Sequence, residues 1–63
     1  MKTVYWKLKS RGVGYYVVEF WVGADTKNLQ TEKFVILDNQ RLRYRIAQLT
    51  GLNTFELEQV KKK

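Results

Sequence analysis

The eight residues from Tyr15 to Val22, Tyr-Tyr-Val-Val-Glu-Phe-Trp-Val, are aromatic or valine throughout except for Glu19. Such a run suits the pleated, packed surface of a strand, and the rest of a short chain has to be arranged around it. Alternation places Tyr16, Val18, Phe20 and Val22 on one face and Tyr15, Val17, Glu19 and Trp21 on the other. Both faces are apolar enough to need covering. A chain of 63 residues makes a single domain, residues 1–63, and at that size only about 60% of the unfolded surface can be buried. One face is therefore expected to find its cover outside the chain, in a homodimer or another partner.

Residues 3–9, Thr-Val-Tyr-Trp-Lys-Leu-Lys, alternate well enough for an antiparallel neighbour, with Val4, Trp6 and Leu8 opposite in direction to Tyr5, Lys7 and Lys9. Ser10 to Gly14, with glycines at 12 and 14, makes a hairpin loop between the two strands. A turn-prone stretch from Gly23 to Asn28 leads to a third strand over residues 30–37, which sets Phe34 and Ile36 on one face against Lys33, Val35 and Leu37 on the other. Asp38 has the chemistry of a helix cap. A helix over residues 39–49 then carries Leu42, Ile46 and Leu49 on one stripe, with Gly51 placed to end it. This helix is expected to cover the Trp6, Tyr16, Val18, Phe20 and Phe34 face. The tail reads two ways. A capping box at Asn53 and Glu56, the Leu52 and Leu57 pair and the terminal lysines favour a short helix. The alternation of Phe55 and Leu57 with Glu56 and Glu58 allows a strand instead. The fold class is thus α+β: a three-stranded antiparallel β-meander packed by one helix, followed by a short C-terminal helix or a fourth strand.

Cysteine and histidine are absent, which removes disulfides, the usual zinc ligands and the side chain that exchanges protons near neutral pH. No metal and no cofactor are expected. The six acids form no obvious convergent pair, and nothing resembles a phosphate-binding glycine loop or a nucleophile motif, so the chain does not read as an enzyme. Twelve Lys and Arg against six Asp and Glu give a formal charge of +6 and a pI near 9.8. That surplus favours polyanions such as nucleic acid, an anionic membrane surface or an acidic protein, although it also serves plain solubility. No apolar run approaches the ~18 residues of a spanning helix, and the N-terminus lacks a signal-peptide pattern, so a cytoplasmic location is expected. Small size, lack of cysteine and basic charge together suit a phage or mobile-element accessory protein.

Three features could carry the function. The sheet face away from the helix gathers Tyr5, Lys7, Lys9, Tyr15, Val17, Trp21, Lys33 and Val35. Rings interleaved with lysines can stack unpaired bases while the ammonium groups follow phosphates, and a twisted sheet can also lie in a DNA groove. Equally, Val17, Val35 and Leu37 suit ordinary core, buried by the tail or by a second copy. Next, Arg41, Arg43 and Arg45 form a dense set whose planar forks suit phosphate or carboxylate; on a helix 41 and 45 share a side and 43 does not. Last, Ile46, Ala47, Gly51, Leu52, Leu57 and Val60 stand at spacings that resemble a helix-turn-helix, with alanine for close approach and glycine for the turn. Thr50 interrupts that pattern, and Glu56 and Glu58 would meet phosphates unfavourably. The candidate nucleic-acid-binding residues are therefore Tyr5, Lys7, Lys9, Arg11, Tyr15, Trp21, Lys33, Arg41, Arg43 and Arg45. The expected function is a small basic nucleic-acid-binding regulatory protein, DNA favoured. The alternative is a small protein-binding module or inhibitor that docks on an acidic partner through Trp21, Tyr15 and the arginines, residue types that also lead at interface hot spots.

Overall fold

The computed structural model describes residues 2–60. Strands β1 (Lys2–Gly12), β2 (Tyr15–Val22) and β3 (Gln30–Phe34) are followed by helix α1 (Asn39–Thr50) and strand β4 (Phe55–Gln59). They form one sheet in the order β3-β2-β1-β4, the first three as an antiparallel meander and β4 parallel to β1. The run from Tyr15 to Val22 is an interior strand, with Val18 and Phe20 fully buried. Val4, Phe34 and Phe55 join them from the sheet, and Leu42 and Ile46 close the core from α1. Burying a side chain of this kind contributes about 1.5–3 kcal/mol, so these two helix residues matter greatly to a small domain. The overall extents of 35 × 25 × 16 Å leave room for one helix on one face of the sheet.

The ends of α1 follow from two residues. Asp38 has extended backbone angles, φ −145° and ψ 171°, and its Oδ1 accepts the Arg41 backbone N–H at 2.8 Å. The Arg41 guanidinium adds a bond to Oδ2, also at 2.8 Å. At the other end Gly51 turns left-handed at φ 79° and donates its N–H to the Ala47 carbonyl at 2.8 Å. A side chain at that φ is strained, which is why glycine suits the position.

Four expectations need correction. The first strand is longer than residues 3–9. It runs to Gly12 because an extra residue, Lys9, bulges out where the register shifts between Leu8 and Ser10, and the connection shrinks to Val13–Gly14. Gly14 at φ 81° supplies the left-handed residue of the turn, and Val13 keeps a negative φ. The third strand stops at Phe34, opposite Tyr16, because β2 turns back just beyond that pair and leaves Val35 to Leu37 no strand to bond. Val35 and Ile36 are exposed, while Leu37 packs against the core. On α1 the buried stripe is Leu42 and Ile46 with half-buried Ala47; Leu49 is exposed. Finally, the segment after Gly51 is a strand and not the favoured helix. The outer edge of β1 offers unpaired backbone groups from Lys2 to Trp6; β4 satisfies them, and the Val60 N–H extends the pairing to the Trp6 carbonyl at 2.8 Å. Phe55 is buried in the process. Tertiary pairing outweighs the local capping signals, and the helix-turn-helix reading falls with the second helix.

Two measurements follow from the helix ends. The Asp38 carboxyl is held below the ordinary aspartate value, chiefly because the Arg41 backbone N–H donates to it; partial desolvation opposes this and the Arg41 guanidinium reinforces it. A carboxyl whose folded pKa is lowered stabilises the fold fully above the unfolded value, about 3.9, and loses that contribution as pH falls through the lowered folded value. Asp38→Asn keeps an acceptor without the titration, so its melting temperature should fall less than the wild type's when the pH is taken from about 5 to about 2. Equal falls would show that Asp38 plays no part in acid sensitivity. Separately, Gly51→Ala should destabilise by about 1 kcal/mol, read from the urea midpoint at unchanged slope.

Candidate nucleic-acid interface

Strand register sorts the side chains of the uncovered face. Tyr5 pairs with Trp21, Lys7 with Glu19, and Val17 with both Ser10 and Lys33, so Tyr5, Lys7, Tyr15, Val17, Trp21 and Lys33 share the face that α1 does not cover. Tyr5 and Trp21 stack on each other, centroids 6.0 Å apart and planes 25° apart. Lys7 Nζ lies 3.6 Å from Glu19 Oε1. Lys33 Nζ sits 4.9 Å from the centre of the Tyr15 ring, a cation–π contact. Lys9 occupies the bulge. Of the three aliphatic residues expected here, only Val17 remains, since Val35 lies past the end of β3 and Leu37 belongs to the core.

The fourth strand changes the electrostatics of this face. In β4, Glu56 is opposite Thr3 and Glu58 opposite Tyr5, so both carboxylates join the uncovered face at the Tyr5–Trp21 end. Their placement was hidden by the helical reading of the tail; the alternation with Phe55 and Leu57 was the signal for it. Lys7 and Glu19 largely cancel beside them. Stacking unpaired bases on Tyr5 and Trp21 therefore brings phosphates toward Glu58, which opposes it.

Cations and exposed apolar groups gather instead at the end where β1 turns into β2. Topology brings β3 to its close and α1 to its start at that same end, which sets Arg11, Lys33, Arg41 and Arg45 around Tyr15, Val35, Ile36 and Tyr44. Two shallow hollows of about 310 and 330 Å³ meet at Val35. One is lined by Lys33, Ile36, Arg41, Tyr44 and Arg45, the other by Arg11, Gly12, Gly14, Tyr15 and Tyr16. Arg41 pairs with Asp38, and Arg45 Nε lies 3.3 Å from Glu32 Oε2, both as surface ion pairs that leave the guanidinium accessible. Tyr44 is 67% exposed and Val35 74%. Neither Tyr44 nor Ile36 stood out as a candidate in the sequence, because the helix and strand periods say which residues avoid the core without saying which of them meet.

Arg43 departs from its neighbours. Its Nη1 donates to the Phe55 carbonyl at 2.6 Å and its guanidinium lies 5.2 Å over the Phe55 ring, which ties α1 to β4. The far end of the sheet is different again: Lys2, Thr3, Tyr5, Val22 and Asp25 line a hollow of about 600 Å³ there, near Glu56 and Glu58. Of the twelve basic residues, Lys61, Lys62 and Lys63 lie outside the described residues. Among the described residues no three carboxylates gather closely enough to hold a metal ion, and no helix is long and apolar enough to cross a membrane.

No protein-family model, curated protein or solved structure matches this chain.

The two roles of the arginines can be separated. Arg43→Ala should cost about 1–2 kcal/mol of stability, the scale of a lost charge-assisted hydrogen bond, measured by urea unfolding. Arg41→Ala and Arg45→Ala, which remove only surface pairs, should each cost under about 1 kcal/mol.

Proposed function

We propose that the protein is a small, non-enzymatic nucleic-acid-binding protein with a regulatory, DNA-associated role. The observation that carries this reading is the segregation of charge. Arg11, Lys33, Arg41 and Arg45 ring exposed Tyr15 and Tyr44 at the hairpin end, while Glu56, Glu58 and Asp25 lie toward the other end. Lys2 and Lys27 also stand at that other end, and Asp38 and Glu32 pair with Arg41 and Arg45 at the hairpin end, so a polyanion is favoured at the hairpin end by the excess of cations there, and the phosphate backbone supplies most of the affinity of such an encounter. Of the ten candidate residues, Arg11, Tyr15, Lys33, Arg41 and Arg45 form this site, with Lys9 alongside. Lys7, paired with Glu19, contributes less. Tyr5 and Trp21 lie at the acidic end, and Arg43 braces the fold.

The same corner supports a second reading through a different observation. Val35 and Ile36 are exposed apolar residues beside Arg41 and Arg45, the composition of a docking patch for an acidic protein. Nucleic-acid contact depends on the cations and not on Val35 and Ile36, so the two readings part on substitution.

The test is a salt titration of binding to duplex and single-stranded DNA. Arg11→Ala and Lys33→Ala should each reduce the slope of log affinity against log salt by about 1, as one phosphate contact is lost. Lys2→Ala and Lys27→Ala at the opposite end should leave the slope unchanged. Equal effects at both ends would remove the assignment to the hairpin end. No binding to either form of DNA at low salt would overturn the nucleic-acid reading and leave the acidic partner.

A further inference from the structure

The tip of the β1–β2 hairpin has a composition that the fold does not require. Its sequence is Arg11-Gly12-Val13-Gly14-Tyr15, and Val13 is fully exposed between two glycines. The turn itself needs only Gly14, at φ 81°. At Gly12 the Tyr15 ring lies across the backbone, so a Cβ there would displace the end of that ring. Lys33 approaches the same ring from β3. The Tyr15 ring thus lies over Gly12 and beside Lys33. With no side chain on either flank of Val13, the tip ends in one bare isopropyl group.

We propose that this tip enters the minor groove of duplex DNA, with Val13 as an apolar wedge against the base stack and Arg11 and Lys9 on the bordering phosphates. The inference rests on the nucleic-acid reading above and names the form of nucleic acid and the element that engages it. Three observations select a duplex over an unpaired strand. Of the rings on the sheet, Tyr15 is engaged by Gly12 and Lys33, and Tyr5 and Trp21 by each other with Glu58 opposite Tyr5, so Tyr44 on α1 is left as a lone exposed ring, whereas a run of unpaired bases calls for several. The tip is narrow, with only Val13 and Gly14 joining the two strands, and apolar side chains that wedge between base steps do so from the minor groove. The cations are set behind the wedge: Arg11 is two residues and Lys9 four residues from Val13, about 7 and 13 Å along a strand, so they can follow the phosphates while the tip is inserted. Among the described residues β4 pairs with β1 only as far as Trp6, with Val60 adding one bond there, and no described strand pairs with the outer edge from Lys7 to Gly12. Wedge insertion partly unstacks a base step, which is easiest at flexible steps such as TA.

The test uses the full chain and three probes: a 20-base-pair duplex with 2-aminopurine at a central TA step, a G·C-only duplex, and a 20-nucleotide thymidine strand. Wild-type protein should bind the TA duplex tightest and raise the 2-aminopurine fluorescence as the step unstacks. Val13→Ser, which alters a fully exposed side chain and should melt like the wild type, should lose that rise and bind roughly tenfold more weakly at an unchanged salt slope. Arg11→Ala should instead lower the slope and keep part of the fluorescence rise. Tighter binding to the thymidine strand than to the TA duplex would overturn the inference, as would a Val13→Ser protein with wild-type affinity and fluorescence; both leave the nucleic-acid reading standing. No binding to any of the three probes at low salt would overturn both.

Discussion

Leu42 and Ile46 are the buried side chains through which α1 seats on the sheet, and no other helix shares the task among the described residues. They meet Val4, Val18, Phe20, Phe34 and Phe55, drawn from all four strands. A twelve-residue helix is about 18 Å long, enough to cover one face of so small a sheet and no more. Its direction is then fixed by its caps. Asp38 follows β3 after Val35 to Leu37, and Gly51 delivers the chain toward the start of β4, so α1 runs from the hairpin end of the sheet to the far end. That single crossing decides which charges meet: Arg41 and Arg45 come to lie beside β3 and the hairpin, and Glu56 and Glu58 are carried to the opposite corner.

The parallel pairing of β4 with β1 does more than complete the sheet. It covers half of an edge that would otherwise expose backbone donors and acceptors, and it buries Phe55. The other half of that edge is managed differently, by the bulge at Lys9 and by Lys7 and Arg11, devices that discourage edge-to-edge association. Arg43 fits this arrangement. It spans the join between α1 and β4, so the arginine that helical spacing already set apart from Arg41 and Arg45 is a brace for the last element of the fold.

Where the sequence was legible, the reason was periodicity backed by a cap. Tyr15 to Val22, Val4, Phe34, Leu42, Ile46, Asp38 and Gly51 all stand where alternation, helical spacing and cap chemistry put them. It misled at Leu52 to Val60, because a capping box is a local signal and the unpaired edge of β1 is not visible from the tail alone. It misled at Leu37 for a similar reason: alternation assumes a strand that continues, whereas β2 begins at Tyr15, one residue beyond the Tyr16–Phe34 pair, and has nothing to set opposite Leu37. The cationic corner was half legible. Each of its residues could be nominated by type, but their meeting depends on the direction of α1, and Tyr44 and Ile36 have no pattern that marks them.

Glu56 and Glu58 bear on how the uncovered face should be understood. Aromatic residues on an open sheet invite the reading of a base-stacking platform, and Tyr5 and Trp21 have the right chemistry for it. Yet cross-strand aromatic pairs also stabilise a sheet by packing against each other, by about 0.5–1.5 kcal/mol beyond the area they bury. In a chain this short such a pair has a sufficient role within the fold, and the carboxylate opposite Tyr5 adds a reason for a polyanion to avoid it. Val13 is the reverse case. An apolar side chain that touches nothing adds no packing to the fold, and a polar residue would serve the turn as well. The proposed site accordingly lies at the hairpin tip, away from the conspicuous aromatic residues of the open face and at a valine that no sequence pattern marks.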